Sequence, residues 1–154
     1  MANTTKVQRA AQWWIEEVLA KSGPAKALGI ELVSVEPERV EIRIPFNRDL
    51  VTLGDTTHGG VIATLVDVAG SAGSASGVEG DDATGGATSH LSVTYLQAAE
   101  GSDLTAVANV THRTYTRTLS DVDVRDAAGG LVAKGAVISR IFRRGGSSST
   151  SLSA

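Results

Sequence analysis

One carboxylate, Asp67, stands alone in the run HGGVIATLVDVAGSAGSASG at residues 58–77, which is otherwise built of apolar and very small residues. Taken as a helix over Gly60–Ser76, the run sets Thr64, Asp67, Ser71 and Ser74 at i, i+3, i+7 and i+10. That spacing draws one polar stripe along the cylinder. Val61, Ile62, Leu65, Val66, Val68, Ala69 and Ala72 cover most of the remaining circumference, as in a helix buried nearly all round. A carboxylate there is costly unless it is bonded, paired or protonated. Asp67 is therefore either a structural acceptor, satisfied by Ser71 and a neighbouring strand, or a group that does chemistry.

The head of the same helix favours chemistry. His58-Gly59-Gly60 offers bare backbone N–H groups at a helix N-terminus, where unpaired donors and the dipole attract a negative oxygen. An oxyanion site and a carboxylate are the parts of acyl transfer. Gly60 and Asp67 lie about 10 Å apart along the axis, too far for one carbonyl, whose attacking atom must come within about 3.5 Å. Two antiparallel copies of the helix could set Gly59 and Gly60 of one against Asp67 of the other. The site is expected to be composite and the protein at least an obligate dimer. Gly70 and Gly73 each cost the helix about 1 kcal/mol relative to Ala, which points to close approach of other backbone. Gly70, Ser74 and Gly77 together suggest room beside the helix.

The elements around this helix read as follows. Val7–Leu19 forms an amphipathic helix with Val7, Ala11, Trp14 (with Ile15) and Val18 on one side, with Asn3, Thr4 and Thr5 available as caps and Ser22-Gly23-Pro24 ending it. GIELVSV and VEIRI are strands joined by a Glu36–Arg39 hairpin turn, and residues 45–57 form a loop. Four strands follow the central helix: SHLSVTYL, DLTAVANVTHR, TRTLSDVDVRD and LVAKGAVISRIF. In the first, Leu91, Val93 and Tyr95 alternate with His90, Ser92 and Thr94. The absence of βαβ repetition excludes a doubly wound sheet. The fold class is α+β, a curled antiparallel sheet wrapped around one long buried helix, with an N-terminal covering helix over residues 6–20. Residues 1–144 form a single domain, and the Ser/Gly-rich residues 145–154 are expected to be disordered.

The 154 residues carry a formal charge of −3, 42% hydrophobic residues and no cysteine. These values exclude disulfides and thiolate chemistry and give no support for nucleic-acid binding. No apolar run reaches the length of a membrane span and no signal-peptide pattern is present, so a cytoplasmic location and no membrane partner are expected. Three histidines without HxH or HxxxH spacing argue against a metal. His90 and His112 fall on polar-facing strand positions, and Asp81-Asp82 reads as a solvated loop.

LGIELVSVEPERVEIRIPF, HGGVIATLVDVAGS, SHLSVTYLQAA and RDAAGGLVAKG together resemble the PaaI-like acyl-CoA thioesterases of the hotdog superfamily. The likeness runs from about Leu28 to Phe142, and its specific part is His-Gly-Gly with an acid nine positions after the His. It implies a central helix wrapped by the sheet, homodimers that often pair into tetramers, an acyl-CoA substrate and no cofactor. It implies Asp67 as nucleophile or general base, the Gly59 N–H of the partner subunit as oxyanion donor with Gly60 beside it, and His58 as the residue that orients this turn. Ser71 and Thr88 match hydroxyl positions that support the attacking water.

Six residues before His58, where the family often carries Asn or Gln, this chain has Thr52, a shorter group with one donor. Asn47 or Asp55 could substitute through a shifted loop. Otherwise the rate is lower or the favoured substrate differs. For the phosphates of coenzyme A the candidates are Arg113, Arg117, Arg140, Arg143 and Arg144. In related enzymes the hairpin that holds Arg113, Arg117 and the Thr118 hydroxyl contributes to the nucleotide end. Trp13, Trp14, Phe46, Tyr95, Tyr115 and Phe142 are candidate walls for an aryl or medium-chain acyl group. The competing functions are a non-catalytic acyl-CoA-binding module and, less well matched, an acyl-thioester dehydratase or hydratase, which needs a His base set across from an acid.

Overall fold

A computed structural model of the protein describes residues 6–145. The expected caps Asn3, Thr4 and Thr5, and all of the expected tail except Gly145, lie outside the described residues. Eight strands and three α-helices follow in chain order. α1 (Arg9–Trp13) runs into a wide π-helical turn over Trp14–Leu19, closed by an Ala20 N–H to Ile15 carbonyl bond of 2.9 Å. Ala11 and Ile15, at i and i+4, face the core, Ile15 with no exposed surface. α2 (Gly23–Leu28) was not expected from the sequence. Ser22 caps it, Pro24 sits in its first turn, and Gly29 ends it in the left-handed region, so Ser22-Gly23-Pro24 stops one helix and starts another.

β1 (Glu31–Glu36) and β2 (Arg39–Ile44) form the expected hairpin. Residues 45–57, expected as loop, contain a short 3₁₀ turn at Arg48–Leu50 and a small ladder of β3 (Val51–Leu53) and β4 (Thr56–Thr57). The central helix α3 covers Gly59–Ser76. β5 (Ala83–Tyr95), β6 (Leu104–Arg113), β7 (Arg117–Asp126) and β8 (Leu131–Arg143) complete one antiparallel sheet in the order β1-β2-β6-β7-β8-β5.

Alternation decides which face of this sheet receives α3. Val40 and Ile42, Ala106 and Ala108, Val122 and Val124, and Val137 are all buried against Leu65, Val66 and Ala69 of the helix, while the intervening residues face outward. Small residues let the helix sink onto the strands. A Cβ on Gly70 would lie 2.5 Å from Val137 Cβ, and one on Gly77 would lie 1.9 Å from Glu38 Oε1. Both positions are therefore filled contacts and not spare room; of the three residues expected to leave space beside the helix, Ser74 alone lines a cavity.

β5 carries the one feature that matters most for the site. Its partner on β8 shifts between Thr88, opposite Ser139, and His90, opposite Ile138, so Ser89 is an extra bulged residue. A bulge changes which face later residues take. Thr88 thereby shares the inner face with Leu91, Val93 and Tyr95, although plain alternation would set it opposite to them.

Candidate functional site

Asp67 lies half-buried in the middle of α3. The Thr88 hydroxyl donates to Asp67 Oδ1 at 2.6 Å, and Ser71 Oγ is 3.1 Å from Thr88 Oγ1. Thr88 has one hydroxyl proton and uses it on the carboxylate, so Ser71 is the donor of the second bond. The result is a directed chain, Ser71 to Thr88 to Asp67. Among the described residues Asp67 Oδ2 has no hydrogen-bond partner and is open to a water or a substrate atom.

Ser71 and Thr88 stand on the wall of a cavity of about 470 Å³. Trp13, Trp14, Leu19 and Ile141 supply its apolar lining, and Ser74 and Ser139 its polar floor. The N-terminal helix and its π turn close one side. Thr118, abreast of Ser139 on β7, donates its hydroxyl to Ser74 Oγ at 2.7 Å and is 2% exposed. It lies between sheet and helix, out of reach of a ligand on the surface, where the resemblance had set it.

At the head of α3, His58 is the N-cap residue. Its Nδ1 accepts from the Gly60 N–H at 2.9 Å, and its carbonyl accepts from Val61 and Ile62. The Gly60 N–H is thus already committed, whereas the Gly59 N–H has no acceptor among the described residues. Of the two expected oxyanion donors, Gly59 alone is open. An accepting Nδ1 places the proton of the neutral imidazole on Nε2, on an exposed side chain. Gly59 opens on a second cleft, of about 360 Å³, lined by Thr52, Thr56, Ile62, Tyr95 and Gln97 among others.

The residues offered as substitutes for Asn or Gln are occupied elsewhere. Asn47 Oδ1 accepts from the Asp49 N–H at 2.9 Å, and Asp55 pairs with Arg48 at 2.8 Å. Thr52 itself lines the cleft beside Gly59.

The arginines divide into two groups. Arg113 grips Glu38 through Nε at 2.6 Å and donates to the Ser74 carbonyl at 2.7 Å, tying the β1–β2 turn to the end of α3. Glu38 holds a left-handed backbone, φ 66°, at that turn. Arg143, 7% exposed in its side chain, bonds Asp82 Oδ1 at 2.6 Å and lies 4.3 Å over the Tyr115 ring. Asp82 is therefore not merely solvated. The Tyr115 hydroxyl and then Arg143 hold its carboxyl below the usual range, and the same contact raises the Tyr115 phenol. Arg144 donates to the Asp81 carbonyl. Arg117 and Arg140 face each other across β7 and β8, both exposed and without an acidic partner among the described residues.

Trp13, Trp14 and Tyr95 line cavities, as the sequence suggested; Tyr115 is engaged by Arg143, and Phe46 and Phe142 are absent from both linings. His90 and His112 are exposed. Among the described residues no group of three or more His, Asp or Glu side chains could hold a metal, and no helix is long and apolar enough to cross a membrane.

Comparison with known proteins agrees with this architecture. A relative from Halobacterium salinarum, named as an esterase, is 31% identical over 138 residues, spanning 84% of this chain and 91% of that one. The crystal structure of AziG from S. sahachiroi superposes with a TM-score of 0.73 at 28% identity, covering 79% of this chain and 98% of that one. The PaaI protein of the E. coli phenylacetic acid degradation operon shares the fold, with a TM-score of 0.76 at 21% identity over 86% of this chain and 93% of that one. Residues 54–133 match the model of the Thioesterase superfamily, a span that holds His58, Gly59, Asp67, Ser71 and Thr88. The chain, a curled antiparallel sheet around one central helix, belongs to the thioesterase superfamily and has the hotdog fold.

Proposed function

We propose that the protein is an acyl-CoA thioesterase that releases a free acid and coenzyme A. The observation that carries this reading is the Ser71–Thr88–Asp67 chain, which leaves one carboxylate oxygen free and whose two hydroxyl residues line an apolar cavity of about 470 Å³. Such a cavity suits the acyl group of an aryl or medium-chain thioester. With Asp67 as general base, its Oδ2 takes a proton from water as the water oxygen bonds to the thioester carbon. The carbonyl oxygen becomes an oxyanion and accepts from a Gly59 N–H. Collapse breaks the C–S bond, and the thiolate leaves with the proton from Asp67. With Asp67 as nucleophile, the carboxylate oxygen itself bonds to the thioester carbon, the C–S bond breaks and coenzyme A leaves as the thiolate. Water then hydrolyses the resulting anhydride to the free acid and the Asp67 carboxylate.

Asp67 and Gly59 of one chain are too far apart along α3 to share one carbonyl, which supports a site completed by Gly59 of a second copy. β5 supports such an association: it is the last strand of the sheet, so one of its edges is unpaired among the described residues, and Leu91, Tyr95 and Leu96 are exposed on or beside it. An unpaired, partly apolar edge of this length is a template for pairing with another chain. Arg117 and Arg140 are the arginines left free for the phosphates of coenzyme A.

Free-thiol release from a panel of aryl and fatty acyl-CoAs tests the reading. Turnover is expected, with kcat reduced about 10²- to 10⁴-fold in Asp67→Asn. Full kcat in that variant removes Asp67 from the chemistry, and no thiol release from any member of the panel removes the hydrolase.

A further inference from the structure

We infer that Tyr95 is a positioning residue for the oxyanion donor. The inference rests on the hydrolase reading of the same site. The Tyr95 hydroxyl donates to the Gly59 carbonyl at 2.7 Å, and its ring packs so closely on Gly59 that a Cβ there would lie 3.3 Å from Cζ. The Gly59 carbonyl and the Gly60 N–H belong to one planar peptide unit. Tyr95 holds the carbonyl end of that unit, and His58 Nδ1 holds the N–H end at 2.9 Å.

The preceding unit, the His58 carbonyl with the Gly59 N–H, is held at its carbonyl end by the N–H groups of Val61 and Ile62 at 3.0 and 3.3 Å. Both peptide planes around Gly59 are therefore fixed by bonds that leave the Gly59 N–H unused. This is the arrangement an oxyanion donor requires, because a donor set before the reaction loses nothing to reorientation during it. Glycine is the residue most able to turn these planes, so an external clamp has the largest effect here. Tyr95 comes from β5, the strand that also supplies Thr88, and lines the cleft onto which Gly59 opens. One strand thus orients both the acid and the donor.

Tyr95→Phe keeps the ring and removes the hydroxyl. The expected result on the best acyl-CoA is a kcat lowered about tenfold with KM within twofold, and an unchanged melting temperature and oligomeric state. Amide exchange by NMR supplies a readout independent of turnover: the Gly60 N–H should exchange faster in Tyr95→Phe while amides in the middle of α3 do not change. Unchanged kcat, or unchanged Gly60 exchange, overturns the inference. If the wild type releases no thiol from any acyl-CoA, the hydrolase reading falls, and the positioning role falls with it; faster Gly60 exchange in Tyr95→Phe would then leave a clamp without that role. Turnover in the wild type that survives intact in Tyr95→Phe sinks this inference alone.

Discussion

Thr88 on β5 donates its only hydroxyl proton to Asp67 Oδ1 on α3, 2.6 Å away. That bond fixes one carboxylate oxygen, leaves Oδ2 free for the role proposed for it, and forces Ser71 to donate to Thr88 and not accept from it. Thr88→Val keeps the shape of the side chain and removes the donor. Its kcat should fall about tenfold, the size of one charge-assisted hydrogen bond, while Thr88→Ser keeps most of the rate. Steady-state kinetics on one acyl-CoA reads both. Equal rates for Val and Ser would show that the bond does not orient Asp67.

A composite site can be tested by mixing defective chains. Gly59→Val sets a side chain against the Tyr95 ring, whose Cζ lies 3.3 Å from the Cβ position, and disables the donor; Asp67→Asn disables the acid. Each variant alone should be nearly inactive. Co-refolded in equal amounts, half the dimers are mixed and each holds one intact site, so about a quarter of wild-type activity returns. A mixture that stays as inactive as its components places both groups in one chain.

The arginines separate structure from ligand binding. Arg113→Ala strands Glu38 and the Ser74 carbonyl. It should cost about 1–3 kcal/mol of stability, as partners lose their donors in a part-buried place, with little change in KM. Arg117→Ala and Arg140→Ala should raise KM for acyl-CoA, more at low salt than at high, and leave the melting curve in place. The opposite pattern would return Arg113 to the ligand.

Acid should weaken the fold through Asp82 and Asp103. Tyr115 and Arg143 lower the first carboxyl, and Arg43 with the Phe46 N–H lowers the second. A carboxyl held below its unfolded value of about 3.9 stabilises the native state above that pH and loses the effect as pH falls through the folded value. Melting temperature should thus hold near neutrality and drop below about pH 4. Asp82→Asn and Asp103→Asn should each flatten that drop; the wild-type slope in both would assign the acid sensitivity elsewhere.

Much of this was legible in the chain because apolar spacing reports directly on burial. α3 and most of the strand pattern follow their periodicity, and Asp67 stood out as the one charge on a buried helix. The less visible parts have particular causes. α2 hid behind Ser22-Gly23-Pro24, since the same residues that stop a helix also cap one. Thr88 could not be assigned to the inner face from alternation, because Ser89 bulges and shifts the parity of β5. Arg113, Arg143 and Thr118 are polar residues whose type suggests a ligand, while the fold gives each a partner within the body. Tyr95 lines a cleft as expected, but its bond to the Gly59 carbonyl leaves no mark in sequence spacing.

The place of β5 at the end of the sheet also sets when the protein becomes competent. Among the described residues Ala83–Tyr95 pairs in the main sheet with Leu131–Arg143 alone, so the strand that brings Thr88 to Asp67 has no sheet partner in its own chain until β8 exists. A chain emerging from the ribosome can bury α3 against earlier strands and still be chemically inert. Long-range pairing of this kind is slow to close, so the bond from Thr88 to Asp67 should form only once the C-terminal strand is in place and should be lost when that strand frays.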